Sequence, residues 1–325
     1  MGERRPEPEE QRSETDPRSL AEVARRYYLE DQSKVAIAKD LEISRFQVAR
    51  MLRYARESGV VRIEVGGELG SVDTTLSAAL ARHLGIERAV VMASTARQEP
   101  AAVIRQLGAV VAEVLPSVVQ HGDTVGLGWS RVCDAMIDTL TQLPRCTVVQ
   151  LAGHLARPGD TSGSVEAVRR AAAVSGGDCY PFYAPMIVGD AAAAAVLRRQ
   201  PEIDEALRKA SSLDVALVSI GAWGSPRSRV YEVLEPDLRE AGMDAGVCGE
   251  ISGRLFDHHG RPVPDLIDDR VLGVSLEQLA GTPTVIATAW GPDQAVALRV
   301  AAEADWVDVA VVDETLAREL LTEID

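Results

Sequence analysis

SKVAIAKDLEISRFQVARMLRYARESG, residues 33–59, is the stretch that decides the architecture of this 325-residue chain. Ser33 is placed to cap a helix over Lys34–Leu41, because a serine hydroxyl accepts from the amides that a first helical turn leaves unpaired. Val35, Ile37, Ala38 and Leu41 form its inward face. Glu42-Ile43 breaks the pattern and Ser44 caps a further helix, on which Val48, Met51, Leu52 and Ala55 recur at helical spacing. Ser58-Gly59 is a stop signal. Upstream, Leu20–Leu29 reads as an earlier helical stripe; downstream, Val60–Val65 alternates like a strand. Three helices and a wing make a winged helix-turn-helix, whose last helix enters the major groove of double-stranded DNA.

That helix turns Arg45, Gln47, Arg50 and Arg53 outward. Ser44, Arg45 and Gln47 sit at its N-terminus, where base edges are reached first. Arg45 suits guanine and Gln47 adenine, while Arg50 and Arg53 fall where phosphates run. Phe46 is left with two readings, contact with a thymine methyl or packing against the preceding helix. Glu42 occupies a turn position that tends toward positive φ and favours glycine, at a cost on the order of 1 kcal/mol.

Charge supports this division of labour. The whole chain carries −15, which argues against a general nucleic-acid binder. From Ser44 to Arg62, however, five arginines face one acid, a local charge of +4. A small basic head on an acidic body suits a DNA reader joined to a sensor. Residues 1–17, charged and Pro-rich, read as a disordered tail, 18–66 as the head, and 67–325 as an effector-binding and oligomerisation domain. The four cysteines include no CxxC pair, which argues against a zinc site or a disulfide framework and fits a reducing cytoplasm. No uninterrupted apolar run reaches the length of a membrane span.

The body repeats one theme, an apolar run, a glycine or polar break, then a helix. The runs are Thr124–Leu127, Thr147–Leu151, Val215–Ile220, Thr284–Ala289 and Val307–Val312, with helices over Val72–Leu84 and Ala101–Leu115 before or among them. Continuous β-rich runs followed by helices imply a parallel, Rossmann-like α/β sheet. Ligands bind outside the carboxyl ends of such strands. Those ends read Gly126-Leu127-Gly128-Trp129-Ser130-Arg131, Ala152-Gly153-His154, Gly221-Ala222-Trp223-Gly224 and Trp290-Gly291-Pro292-Asp293. Their glycines admit a ligand close to backbone amides, and helix N-termini favour anions. The full GxGxxG pattern is absent, so no dinucleotide or other cofactor is expected. Three of the four tryptophans, Trp129, Trp223 and Trp290, fall at these ends. They either stack on the C–H faces of a sugar or pack beneath the loops.

In this order the motifs resemble the SorC family of bacterial sugar-responsive regulators. The carriers are Ile37–Leu41, Ile43–Arg45 and Val48–Leu52 in the head, and Gly126–Arg131, Gly249–Asp257 and Val307-Asp308 to Asp313-Glu314 in the body. The resemblance implies an effector domain similar to sugar-phosphate isomerases, a dimer or tetramer, and a sugar, polyol or sugar-phosphate effector that alters operator binding, usually by relieving repression. It maps the effector pocket onto Gly128, Trp129, Ser130, Arg131, Gly153, His154, Gly221, Trp223, Glu250, Trp290 and Gln294. Two departures stand out. Some members carry a basic residue where this chain has Ala152, and many carry lysine where it has Gln294. Only Lys34, Lys39 and Lys209 occur in the whole chain. A Schiff base to an aldehyde is therefore not expected, and a phosphate depends on Arg131, His154, Arg227 or Arg229. An enzyme of the isomerase type is the alternative reading, with Asp244, Glu250 or Asp313-Glu314 as its base.

Overall fold

The computed structural model describes residues 16–28, 32–58, 60–61, 71–93, 98–155, 163–224 and 228–322. The chain divides into two compact units, Met1–Gly67 and Glu68–Asp325.

The first unit holds helices α1 (Pro17–Tyr28), α2 (Lys34–Asp40) and α3 (Arg45–Glu57). Asp16 accepts the amide of Ser19 and starts α1; Ser33 accepts the amide of Ala36 and starts α2. Leu20, Val23 and Ala24 of α1 meet Ile37 and Ala38 of α2 and Val48, Met51, Leu52 and Ala55 of α3 in one small core. Val35 departs from the expected inward face and is 60% exposed. On a helix as short as α2, the stripe that reaches the core narrows to Ile37 and Ala38. Most of the expected wing, residues 62–65, lies outside the described residues, as does most of the tail. Val61 donates its amide to the Ala55 carbonyl at 2.8 Å, folding the chain back over the end of α3.

Glu42 sits at φ 54° between α2 and α3. An L side chain there crowds its own carbonyl, and glycine relieves that strain while adding freedom to the unfolded chain. Glu42→Gly is expected to stabilise the head by roughly 0.5–1 kcal/mol. Thermal unfolding checks this; an unchanged or lower midpoint refutes it.

The second unit is built on nine strands: β1 (Arg88–Met92), β2 (Thr124–Leu127), β3 (Thr147–Gln150), β4 (Cys179–Tyr180), β5 (Val215–Ala222), β6 (Val247–Ile251), β7 (Arg254–Asp257), β8 (Thr284–Ala289) and β9 (Val309–Asp313). Seven run parallel in the order β1-β9-β8-β5-β2-β3-β4. Side chains alternate between two apolar layers. In β9, Ala310 and Val312 join the layer containing Leu298 and Leu316. Val309 and Val311 join the layer containing Leu107 and Met136. Burial on both faces is why these strands read as unbroken apolar runs. Helix Pro100–Val118 is long and apolar enough to cross a membrane, but Val103, Leu107, Val111 and Leu115 belong to the second layer.

The chain places β3 and β4 on one side of β2, then returns to place β5 on the other side, with β8 and β9 beyond it. The β2/β5 junction is thus a topological switch point, where the loops leaving neighbouring strands part and open a crevice.

One element falls outside the parallel pattern. β6 and β7 form an antiparallel hairpin, and β6 pairs antiparallel with the end of β5, setting Gly221 opposite Glu250. Its two-residue turn, Ser252 (φ 52°) and Gly253 (φ 84°), has the positive angles of a type I′ turn. Buried Arg254 anchors it. Nε donates to the Val274 carbonyl, Nη1 to Asp268 O, and Nη2 to the carbonyls of Gly273 and Val271. The Asp268 carboxylate lies 2.9 Å from Nη1.

Candidate functional site

The switch-point crevice is a cleft of about 710 Å³ including its open mouth. Gly128, Trp129, Ser130 and Arg131 reach it from the end of β2, and Ser219 and Gly221 from β5. Glu250 and Ser252 come from the hairpin, and Thr288, Trp290 and Gln294 from the end of β8. Leu155, Met186 and Val230 give it an apolar side.

Two aromatic–cation pairs frame the opening. The Arg229 guanidinium lies 5.4 Å from the Trp129 ring centre, and that of Arg131 lies 5.6 Å from Trp290. Trp129 Nε1 donates to Asp134 at 3.1 Å, and Arg229 donates to the Leu155 carbonyl at 3.2 Å. On the floor, Ser219 and Thr288 hydroxyls are 2.6 Å apart.

Glu250 is the buried acid of the cleft. Its Oε2 accepts the Gly253 amide at 3.1 Å and its Oε1 the Ser228 hydroxyl at 3.3 Å. Burial outweighs both bonds and pushes its carboxyl up to about 7. A Cβ on Gly221 would stand 2.1 Å from Glu250 Oε1, so glycine leaves the space that the carboxyl fills.

Of the eleven residues expected in the pocket, Gly128, Trp129, Ser130, Arg131, Gly221, Glu250, Trp290 and Gln294 line this cleft. Three do not. Gly153 gives its amide to Leu272 and presses against the Pro185 carbonyl, 2.5 Å from where a Cβ would be. His154 stands behind the cleft, its ring edge-on to Trp129 at 5.3 Å. Trp223 packs on Tyr231 at 5.1 Å and over Gly242. Gly153→Ala is therefore expected to act through packing, lowering stability by about 1–3 kcal/mol as overfilled sites do. Loss of effector affinity with unchanged thermal stability would contradict that.

Local roles also differ from the expected ones. The Gly128 amide donates to Leu217 and extends the β2/β5 ladder, and Ser130 caps helix Arg131–Thr139 through the Cys133 amide. Gln294 is 3% exposed; it accepts the Trp290 amide and donates to the Ile220 carbonyl, bracing the loop. Ala152 is buried and bridges Gly273. Asp313 accepts the Gly291 amide, and Asp244 ends an exposed helix turn. Of the candidate bases, Glu250 alone lines the cleft. Sequence reasoning missed Leu155, Met186, Ser219, Val230, Ser252 and Thr288. They lie inside strands, in the hairpin turn or in loops with no pattern of their own. Arg227 lies outside the described residues.

In the head, Arg45, Phe46, Ala49, Arg50 and Arg53 form an exposed stripe along α3. Ser44 accepts the Gln47 amide at 3.1 Å, and Gln47 Oε1 accepts the Ser44 amide at 2.7 Å. This is a capping box. It corrects the adenine-reading role expected of Gln47, because a bidentate contact needs the oxygen that the box has taken. Phe46 is 79% exposed, so packing against α2 is also excluded.

The family model described as "Putative sugar-binding domain" matches residues 71–322. The chain is 26% identical over 307 residues to the deoxyribonucleoside regulator of Bacillus subtilis, covering 93% of this chain and 97% of the relative. It is 28% identical over 308 residues to the transcriptional regulator LsrR of Klebsiella pneumoniae, covering 93% and 92%. The full-length sorbitol operon regulator SorC of Klebsiella pneumoniae shares its fold with a TM-score of 0.70 at 21% identity, covering 94% of this chain and 99% of that one. By its sugar-binding domain and its relatives over nearly the full length, the chain belongs to the SorC family of sugar-responsive transcriptional regulators.

Proposed function

We propose that this protein is a repressor whose grip on double-stranded operator DNA is set by an unphosphorylated sugar or polyol seated at the β2/β5 switch point. The observation that carries the effector class is the makeup of the cleft. Two half-buried indoles offer flat apolar faces, Ser219, Ser252 and Thr288 offer hydroxyls, and Glu250 offers a buried carboxyl. Polyhydroxylated carbon chains present that same mixture of C–H faces and hydroxyls.

A phosphate is less well served. No lysine lines the cleft, Gln294 is committed to backbone groups, and Arg131 and Arg229 lie over indole rings. Glu250 adds negative charge once ionised. Among the described lining residues it has no second acid or base beside it, which favours sensing over turnover. In this reading the protein works in the cytoplasm as a homo-oligomer. Two α3 helices meet half-sites about one helical turn apart, or a multiple of it, and the ligand shifts their spacing.

Calorimetry with matched sugars, polyols and their phosphates tests the ligand class, and fluorescence anisotropy on operator duplex tests release. Binding of a polyol or sugar, quenching of indole emission and weakened DNA binding are the expected results. A clear preference for the phosphate overturns the ligand class.

A further inference from the structure

We infer that Phe46 reads a pyrimidine 5-methyl group, that of thymine, in the major groove; the inference rests on the reading of this chain as an operator-binding regulator. Phe46 is the second residue of α3 and the most exposed large apolar side chain among the described residues, at 79%. The fold gains nothing from it. The head core is assembled from the opposite face of α3, through Val48, Met51, Leu52 and Ala55.

Its surroundings select the partner. Arg45 precedes it with the guanidinium 5.8 Å from the ring centre, Arg50 lies one turn on, and Arg53 continues the stripe. Ala49, between them, is exposed and small, so the ring stands clear of its own helix. A single ring bordered by three arginines is too little apolar surface for a membrane or a protein groove, and the charge matches a phosphate-lined one. Within the major groove the prominent apolar feature of a base edge is the thymine methyl. The capping box strengthens the assignment. With Gln47 Oε1 held by the Ser44 amide, the first turn of α3 meets the bases through Arg45 and Phe46. A guanidinium and a ring held together suit a guanine beside a thymine.

The test uses the full-length protein. A preferred duplex is selected from a random-sequence pool, and each dT in it is then replaced singly by dU, which removes only the methyl. Affinities are measured by anisotropy at one salt concentration. The wild type is expected to lose about three- to fivefold at one position per half-site, the effect of one buried methyl group. Phe46→Ala should bind the dT duplex more weakly and lose its discrimination between dT and dU there, with an unchanged melting temperature. A wild type indifferent to every dU, or a Phe46→Ala protein that keeps the same penalty, overturns the inference while leaving the regulator intact. If no duplex is enriched at all, the operator-binding reading falls and this inference falls with it.

Discussion

Gly221→Ala is expected to abolish the response to the effector while leaving operator binding in place. The added methyl would lie 2.1 Å from Glu250 Oε1 and 2.8 Å from its Cδ. The carboxyl has little room to retreat, because the Gly253 amide and the Ser228 hydroxyl hold its two oxygens and the residue is buried. Overfilling of this kind costs about 1–3 kcal/mol. If that cost falls on the ligand-competent arrangement, effector affinity drops by roughly ten- to a hundredfold. Gly189 is the control. A Cβ there meets nothing within 4 Å, and Gly189→Ala should behave as wild type. Calorimetry with the effector, and operator anisotropy with and without it, separate the two variants. Undiminished effector affinity in Gly221→Ala would remove Glu250 from ligand recognition.

The second large effect concerns Glu250 itself. Burial raises its carboxyl to about 7, against 4.5 for an unperturbed glutamate. Between those values the folded protein keeps a proton that the unfolded chain has released, so stability falls as pH rises through that window. Above about pH 7 the loss is complete and amounts to on the order of 3 kcal/mol. Glu250→Gln removes the liability. Its carbonyl oxygen can take the Gly253 amide and its NH₂ can donate to the Ser228 hydroxyl, which then accepts. The variant should match the wild type near pH 5 and be more stable by about 1–3 kcal/mol at pH 8. Melting temperatures measured across this range decide the matter, and parallel curves for the two proteins would overturn it. The stabilised variant should still bind the effector more weakly, because an amide cannot supply a carboxylate to ligand hydroxyls.

The head and the parallel sheet were legible because both follow short-range rules. Ser33 and Ser44 cap helices where their position announces it, and β2 and β8 have the bounds their apolar runs suggest. β1 and β4 escaped notice. β1, Arg-Ala-Val-Val-Met, lies between two helices without a glycine break at its end, and β4 has only two residues. The hairpin β6–β7 was quoted as a motif but not read as a hairpin, although Ser252-Gly253 between two apolar stretches is its usual signal. Site residues next to a strand end were found where a loop motif marked them. Gly153 and Trp223 were misplaced because a glycine or an indole looks the same in sequence whether it meets a ligand or a neighbouring backbone. Only the position of Pro185 and Gly242 separates the cases. Gln47 was misread for a related reason, since a capping glutamine and a base-reading glutamine occupy the same helical position.

Arg254 spends its donors almost wholly on backbone carbonyls, those of Asp268, Val271, Gly273 and Val274. Every amino acid carries that carbonyl, so the anchor makes no demand on which side chains occupy 268–274 beyond those their own packing imposes. Over generations of drift the restriction gathers on one position. The segment can exchange residues and the hairpin stays moored, whereas lysine at 254, with no planar fork, would release several carbonyls at once. The hairpin bears Glu250, so the inheritance of effector response in this lineage hangs on an arginine outside the cleft.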